Sequence, residues 1–232
     1  MKDSISRLRR EFPWEELRFS LWVPAYLACF ALLERLPDRP YWATQLPLDD
    51  LIPFCAWFVL PYCTWYFLLL GTGAALLLAN RRSAYRRYML FLSGTFFVSA
   101  ALWIVLPNGQ DLRPENPSGL LAPLVEAIYR VDTNTDVFPS LHVVGAVGAA
   151  IAVRDAWGRT RRRVCKAVDA LAALICLSTV FIKQHSVLDA AGGLAFSAAA
   201  WGLVYSPAAR RGMVRLRRDS TRFREWLDAV RM

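Results

Sequence analysis

Long apolar runs separated by clusters of Arg and Lys constrain this chain more than any other feature. A bilayer hydrocarbon core takes about 20 mostly apolar residues per helix. Six stretches approach that pattern: residues 19–33, 51–79, 88–106, 141–153, 167–182 and 188–205. The second carries Pro53 and Pro61, so a tilted or interfacial start is expected there. The fourth and fifth are short, and their ends are expected to draw in neighbouring polar residues. Backbone N–H and C=O groups must pair within their own segment in lipid, so all six runs are expected to be helices. Of the 232 residues 56% are hydrophobic, which exceeds what a soluble core of this length needs. The expected fold class is all-α, a bundle of six transmembrane helices.

The net charge is +9, but the basic residues lie in blocks between apolar runs rather than as a nucleic-acid footprint. They are topology signals, with contact to anionic lipid as a secondary role. With the N-terminus in the cytoplasm, the arm 1–18, the loops 80–87 and 154–166 and the tail 207–232 hold 23 of the 28 Lys and Arg residues. The opposite side keeps Arg35, Arg39, Arg113, Arg130 and Lys183. That asymmetry favours both termini inside. Residues 19–206 then form the membrane domain, with no nucleic-acid partner expected. The first apolar run is preceded by a polar, basic arm and followed by no small-residue cleavage site, so it is expected to stay in the mature protein. The tail, with Trp226 and Leu227 among its basic residues, reads equally as an inner-leaflet surface segment or as a solvated charge run. The five cysteines, Cys29, Cys55, Cys63, Cys165 and Cys176, have neither zinc-site nor disulfide-framework spacing and read as small buried hydrophobes.

The one long loop expected outside, residues 107–139, contains a candidate short helix at 120–129; loops of this length are often functional. The only two histidines, His142 and His185, fall at the outer ends of expected spans, on the same side of the membrane. His185 and Asp189 are four apart, the spacing of one helix face. A carboxylate at a membrane helix end is costly without a partner. Bonded to one ring nitrogen, it fixes the tautomer and makes the other nitrogen a better nucleophile or base. In Phe138-Pro139-Ser140-Leu141-His142, proline suits a first helical turn, and the free N–H groups after it form a phosphate seat. Ser140 adds a hydroxyl and His142 a proton for a leaving oxygen. In Asp111-Leu112-Arg113-Pro114, Arg113 offers a guanidinium that can grip two phosphate oxygens.

Together these segments resemble the type-2 phosphatidic acid phosphatase superfamily. Its three motifs are Lys-x6-Arg-Pro, Pro-Ser-x-His and Ser-Arg-x5-His-x3-Asp. Arg113-Pro114, Pro139-Ser140-Leu141-His142 and His185-x3-Asp189 match them in order, within residues 88–205. The first-motif Lys position falls on Leu106 and the third-motif Arg position on Thr179, so Lys183 is a candidate replacement cation. The stretch from Ser178 to His185, with Phe138-Pro139-Ser140-Leu141-His142, is similar to the branch containing inositol phosphorylceramide synthases. The resemblance implies a lipid phosphatase of the cell membrane, or a transferase of phospholipid headgroups, with its active site outside the cytoplasm. It also implies the roles: His185 attacks phosphorus, Asp189 orients it, His142 handles the leaving-group proton, and Arg113, Ser140 and Lys183 bind phosphate. It implies no cofactor and no metal. Asp132, Asn134 and Asp136 read as acceptor contacts or loop structure ahead of a metal site.

The charge asymmetry generates a test. A cysteine at Ser118, in the long loop, is expected to react with a membrane-impermeant maleimide in intact cells, in a background where the native cysteines are replaced. Labelling only after lysis would reverse the orientation.

Overall fold

The computed structural model describes residues 13–33 and 40–212. Most of the arm 1–18, Arg35, Arg39 and the tail beyond Gly212, with Trp226 and Leu227, lie outside the described residues. A 3-10 turn, Trp14–Ser20, leads into α1, Trp22–Leu33. A two-residue strand β1, Trp42–Ala43, and one turn of helix α2, Pro47–Asp50, follow. A 3-10 turn, Ala56–Phe58, opens into α3, Val59–Leu78. Then come α4, Arg82–Val105, the strand β2, Asn108–Gly109, and α5, Ala122–Val131. The remaining helices are α6, Leu141–Trp157, α7, Arg162–Phe181, and α8, Val187–Val204.

The molecule is mostly helical, and five of its helical stretches are long and apolar enough to cross a membrane: Trp14–Leu33, Ala56–Leu78, Arg82–Val105, Arg162–Phe181 and Val187–Gly212. Each apolar run seen in the sequence contains one long helix, but the boundaries differ. The run that opens at residue 51 is a turn and a 3-10 segment until Val59, and Pro61 then sits in the first turn of α3, where its missing N–H has no intrahelical partner to lose. Helices α4 and α7 begin a turn or more before their apolar runs, at Arg82 and Arg162. Arg is a good helix former, and its long stem lets the charge reach the interface while the backbone continues the helix.

At 17 residues α6 is shorter than those five stretches, and it is the hub: it packs on α3, α4, α7 and α8. Its buried face is built of Gly145, Ala146, Gly148, Ala149 and Ala152, so neighbouring helices approach its backbone closely. A Cβ at Gly145 would stand 2.6 Å from Trp65 Nε1 of α3, and one at Gly148 2.6 Å from Phe91 of α4. At one end of the bundle the nearly buried Asp155 carboxylate accepts from Arg87 at 2.6 and 2.9 Å and from Arg210 at 2.6 Å. This ties α4, α6 and the segment after α8 together.

At the other end two loops are stitched into one cover. β1 pairs in parallel with β2, Trp42 opposite Asn108 and Ala43 opposite Gly109. Phe138 N–H donates to Asn108 Oδ1 at 2.7 Å, and Trp103 Nε1 to the Phe138 carbonyl at 2.8 Å. The long loop thus folds back on its own start. Its helix α5 buries Ala122 and Val125 and lies two residues further along than the sequence suggests.

Packing of α8 on α6 depends on Gly193. A Cβ there would lie 2.8 Å from the Ser140 carbonyl oxygen and 2.8 Å from Val143 Cβ. Gly193→Ala is therefore expected to destabilise the fold by about 1–3 kcal/mol through overpacking. At Gly71 a Cβ would meet nothing within 4 Å. Gly71→Ala is expected to leave the thermal midpoint unchanged or raise it. Equal midpoints for wild type and Gly193→Ala would refute the close approach.

Candidate active site

The starts of α6 and α8 meet beneath this cover. Ser140 is the N-cap of α6, wholly buried, and its Oγ accepts the Val143 N–H at 3.4 Å. Pro139 therefore stands one residue before the cap, not within the first turn as the sequence suggests. A serine hydroxyl caps the helix start, whereas the proline ring offers no acceptor. Ser140 N–H donates to the Asp189 carbonyl at 3.1 Å, which joins the two helix starts directly. Their N-terminal ends bring two positive dipole ends to one place.

His185 and Asp189 come together differently from the expected shared helix face. His185 lies before α8, on the turn that closes α7; Ser186 is the N-cap and Asp189 sits at the third helical position. The two form a reciprocal capping box: Asp189 N–H donates to Ser186 Oγ at 3.1 Å, and Ser186 N–H to Asp189 Oδ2 at 2.7 Å. The Ser186-x-x-Asp189 spacing was the sequence signal for it. This box places Asp189 Oδ2 3.8 Å from His185 Nδ1. That is too long for a hydrogen bond but close enough for one to form on a small shift, as happens when catalytic pairs tighten around substrate.

The His142 and His185 rings lie 5.7 Å apart between centroids. His142 is 7% exposed, His185 6% and Asp189 0%. Three atoms here are buried without a hydrogen-bond partner among the described residues: His142 Nε2, His185 Nδ1 and Asp189 Oδ1. Unsatisfied buried polar atoms are rare and costly. Three such atoms fall on the two histidines and their carboxylate neighbour.

The structure adds residues that the sequence reading did not assign to the site. Tyr62 stacks on His142 at 4.2 Å between centroids, and Trp65 flanks it at 4.5 Å. Tyr62 Oη donates to Asp132 Oδ2 at 2.7 Å and lies 3.4 Å from His142 Nδ1. His142 thus has a tyrosine–aspartate pair behind it, and the Tyr62, Trp65, Tyr66 spacing on α3 was the only trace of this in an otherwise apolar run. Asp49 is the second addition. Wholly buried, it accepts the Val187 N–H at 2.7 Å and so holds the first residue of α8.

Arg113 reaches the site's edge. Its guanidinium donates to the carbonyls of Tyr129 (3.1 Å) and Asp132 (2.6 Å) and to Gln184 Oε1 (3.0 Å), and it lies 4.5 Å over the Tyr129 ring. Burial pushes the Tyr129 phenol up to about 12, so it stays a neutral donor, to the Ile182 carbonyl. Arg113 therefore binds the long loop to the residue next to His185. Lys183 is buried with a left-handed backbone, φ +56°, and its ammonium donates to the Asp49 carbonyl at 2.6 Å. Gln110 completes the brace by donating to the carbonyls of Lys183 and Gln184 at 3.1 and 3.2 Å. Of the loop residues weighed for a metal, Asn134 donates to the Gln110 carbonyl and the Asp136 N–H to Asn108. Among the described residues no group of three or more His, Cys, Asp or Glu side chains could hold an ion. Thr179, at the position of the third-motif Arg, gives its carbonyl to the N–H groups of Gln184 and His185. No protein-family model matches this chain, and no curated protein sequence does.

Proposed function

We propose that this protein is an integral-membrane lipid phosphatase that hydrolyses a phosphomonoester or diphosphate lipid through a phosphohistidine, without a metal. It crosses the bilayer six times with both termini cytoplasmic; α6 is the fourth crossing, short because neighbouring helices shield it. The site then opens on the extracytoplasmic face of the cell membrane. The observation that carries this reading is the set of unpartnered buried atoms on His142, His185 and Asp189 at two converging helix N-termini.

The geometry supports the following steps. Asp189 lies on the Nδ1 side of His185, so a proton held on Nδ1 leaves the Nε2 lone pair to attack phosphorus. The P–N bond forms as the bond to the lipid oxygen breaks. His142 enters this step as the imidazolium, with Nδ1–H directed at Tyr62 Oη, whose own proton goes to Asp132, and its Nε2–H gives that oxygen its proton. The neutral His142 then takes a proton from water, whose oxygen attacks phosphorus and releases His185. The helix N-termini and Ser140 stabilise the equatorial oxygens, and Arg113 and Lys183 add positive field while tied to protein carbonyls. The second reading is a headgroup transferase in which a lipid alcohol replaces water. It is favoured by the similarity of the Ser178–His185 stretch to the inositol phosphorylceramide synthase branch.

Purified protein with a panel of lipid phosphates, with and without alcohol acceptors and in EDTA, separates these readings. Free phosphate without acceptor is expected; product formed only with acceptor makes the chain a transferase, and no turnover of any lipid phosphate refutes both. A general acid matters most for a poor leaving group. His142→Ala is therefore expected to recover part of its rate on para-nitrophenyl phosphate, and His185→Ala none. Asp189→Asn is expected to fold but lose about 10⁴-fold in rate, the scale of neutralising a triad aspartate. Turnover by His185→Ala would reverse the two histidine roles.

A further inference from the structure

A groove of about 790 Å³ runs between α3, α6 and α7, and neither histidine lines it. Its wall follows α3 from Thr64 to Ala79, about 22 Å at the helical rise of 1.5 Å per residue. That is the reach of one extended acyl chain across most of a hydrocarbon core. Gly71 and Ala75 keep this wall low, and a Cβ at Gly71 would meet no atom within 4 Å. Packing therefore does not require glycine there.

The groove is not uniformly apolar. Thr72, 5% exposed, and Trp157, 9% exposed, both line it. Neither the Thr72 hydroxyl nor the Trp157 indole N–H makes a hydrogen bond among the described residues. Arg161 stands at the end beyond Trp157, exposed, with Arg159, Arg162 and Arg163 exposed beside it in sequence. The nearby acids are engaged elsewhere: Asp155 by Arg87 and Arg210, Asp169 by Arg154. Among the described residues, Arg159, Arg161, Arg162 and Arg163 form no ion pair. His142 lies in the first turn of α6 and Trp157 at its last residue, so this mouth and the histidines lie at opposite ends of the bundle.

We propose that the groove binds an anionic glycerophospholipid from the leaflet at the Trp157 end, a ligand separate from the lipid phosphate the histidines act on. An acyl chain lies along Gly71 and Ala75, and the phosphate meets Arg161 and the Trp157 N–H. Thr72, deeper in the wall, supplies a donor for an ester carbonyl. Clustered juxtamembrane arginines favour an anionic over a zwitterionic headgroup. A ligand that binds only the folded state raises the unfolding midpoint in proportion to its occupancy.

The test uses the full chain in neutral detergent, with thermal unfolding followed as dioleoylphosphatidylglycerol or dioleoylphosphatidylcholine is added. Phosphatidylglycerol is expected to raise the wild-type midpoint saturably and further than phosphatidylcholine. Gly71→Leu fills the groove and Arg161→Glu reverses the charge at its mouth. Each is expected to keep the lipid-free midpoint and lose the phosphatidylglycerol increment. If Gly71→Leu shifts the lipid-free midpoint, Ala75→Leu fills the same groove and carries the same expectation. An undiminished increment in the variants, or an equal response to the two lipids, overturns the site. The readout uses no enzymatic activity, so it stands or falls apart from the proposed reaction.

Discussion

The hydrogen bond from the Ser140 N–H to the Asp189 carbonyl brings the starts of α6 and α8 together, and that approach has an electrostatic cost. Each helix N-terminus carries about half a positive charge and several N–H groups without intrahelical partners. Two such ends side by side repel unless negative charge lies between them. Asp189 supplies one negative group, held at the start of α8 by its capping box with Ser186. A phosphate would supply another. Side-chain size decides whether the approach happens at all: Gly193 lets the Ser140 carbonyl and Val143 lie against α8, and Gly192 does the same for the Phe138 ring.

The turn between α7 and α8 is fixed from several directions. Gln110 and Arg113 come from the long loop, Asp49 from the segment before α3, and Thr179 from α7 itself. This bracing holds Lys183 in a left-handed conformation, which costs a non-glycine residue about 1–3 kcal/mol unless its surroundings impose it. Arg113 and Lys183 act as braces, through the carbonyls they hold. The buried, unpartnered nitrogens of His142 and His185 are then a stability cost carried at the site rather than spread through the bundle.

Helices were legible in the sequence wherever apolar length decided the matter, because lipid and core select for that property directly. The loop helix near residues 120–129 was legible to within two residues, whereas the caps at Ser140 and Ser186 were not read. Helix starts at Arg82 and Arg162 were not, because an arginine at an interface can continue a helix without being apolar. The His185–Asp189 pair was found for an incomplete reason: i, i+4 spacing was assumed to be a helix face, but a capping box before the helix makes the approach. The aromatic wall around His142 and the brace from Asp49 were invisible. Tyr62 and Trp65 read as part of an apolar run, and Asp49 lies far along the chain from Val187. Contacts of that sequence separation are set by tertiary packing, which local pattern does not encode.

The central claim is that phosphorus becomes bonded to His185. Wild-type protein mixed with a ³²P-labelled lipid phosphate and quenched without acid, then digested and mapped, tests this most directly. A label on the peptide containing His185, stable to base and lost in mild acid, is the expected result. No protein-bound label under any quench, or a label on His142 instead, would contradict it.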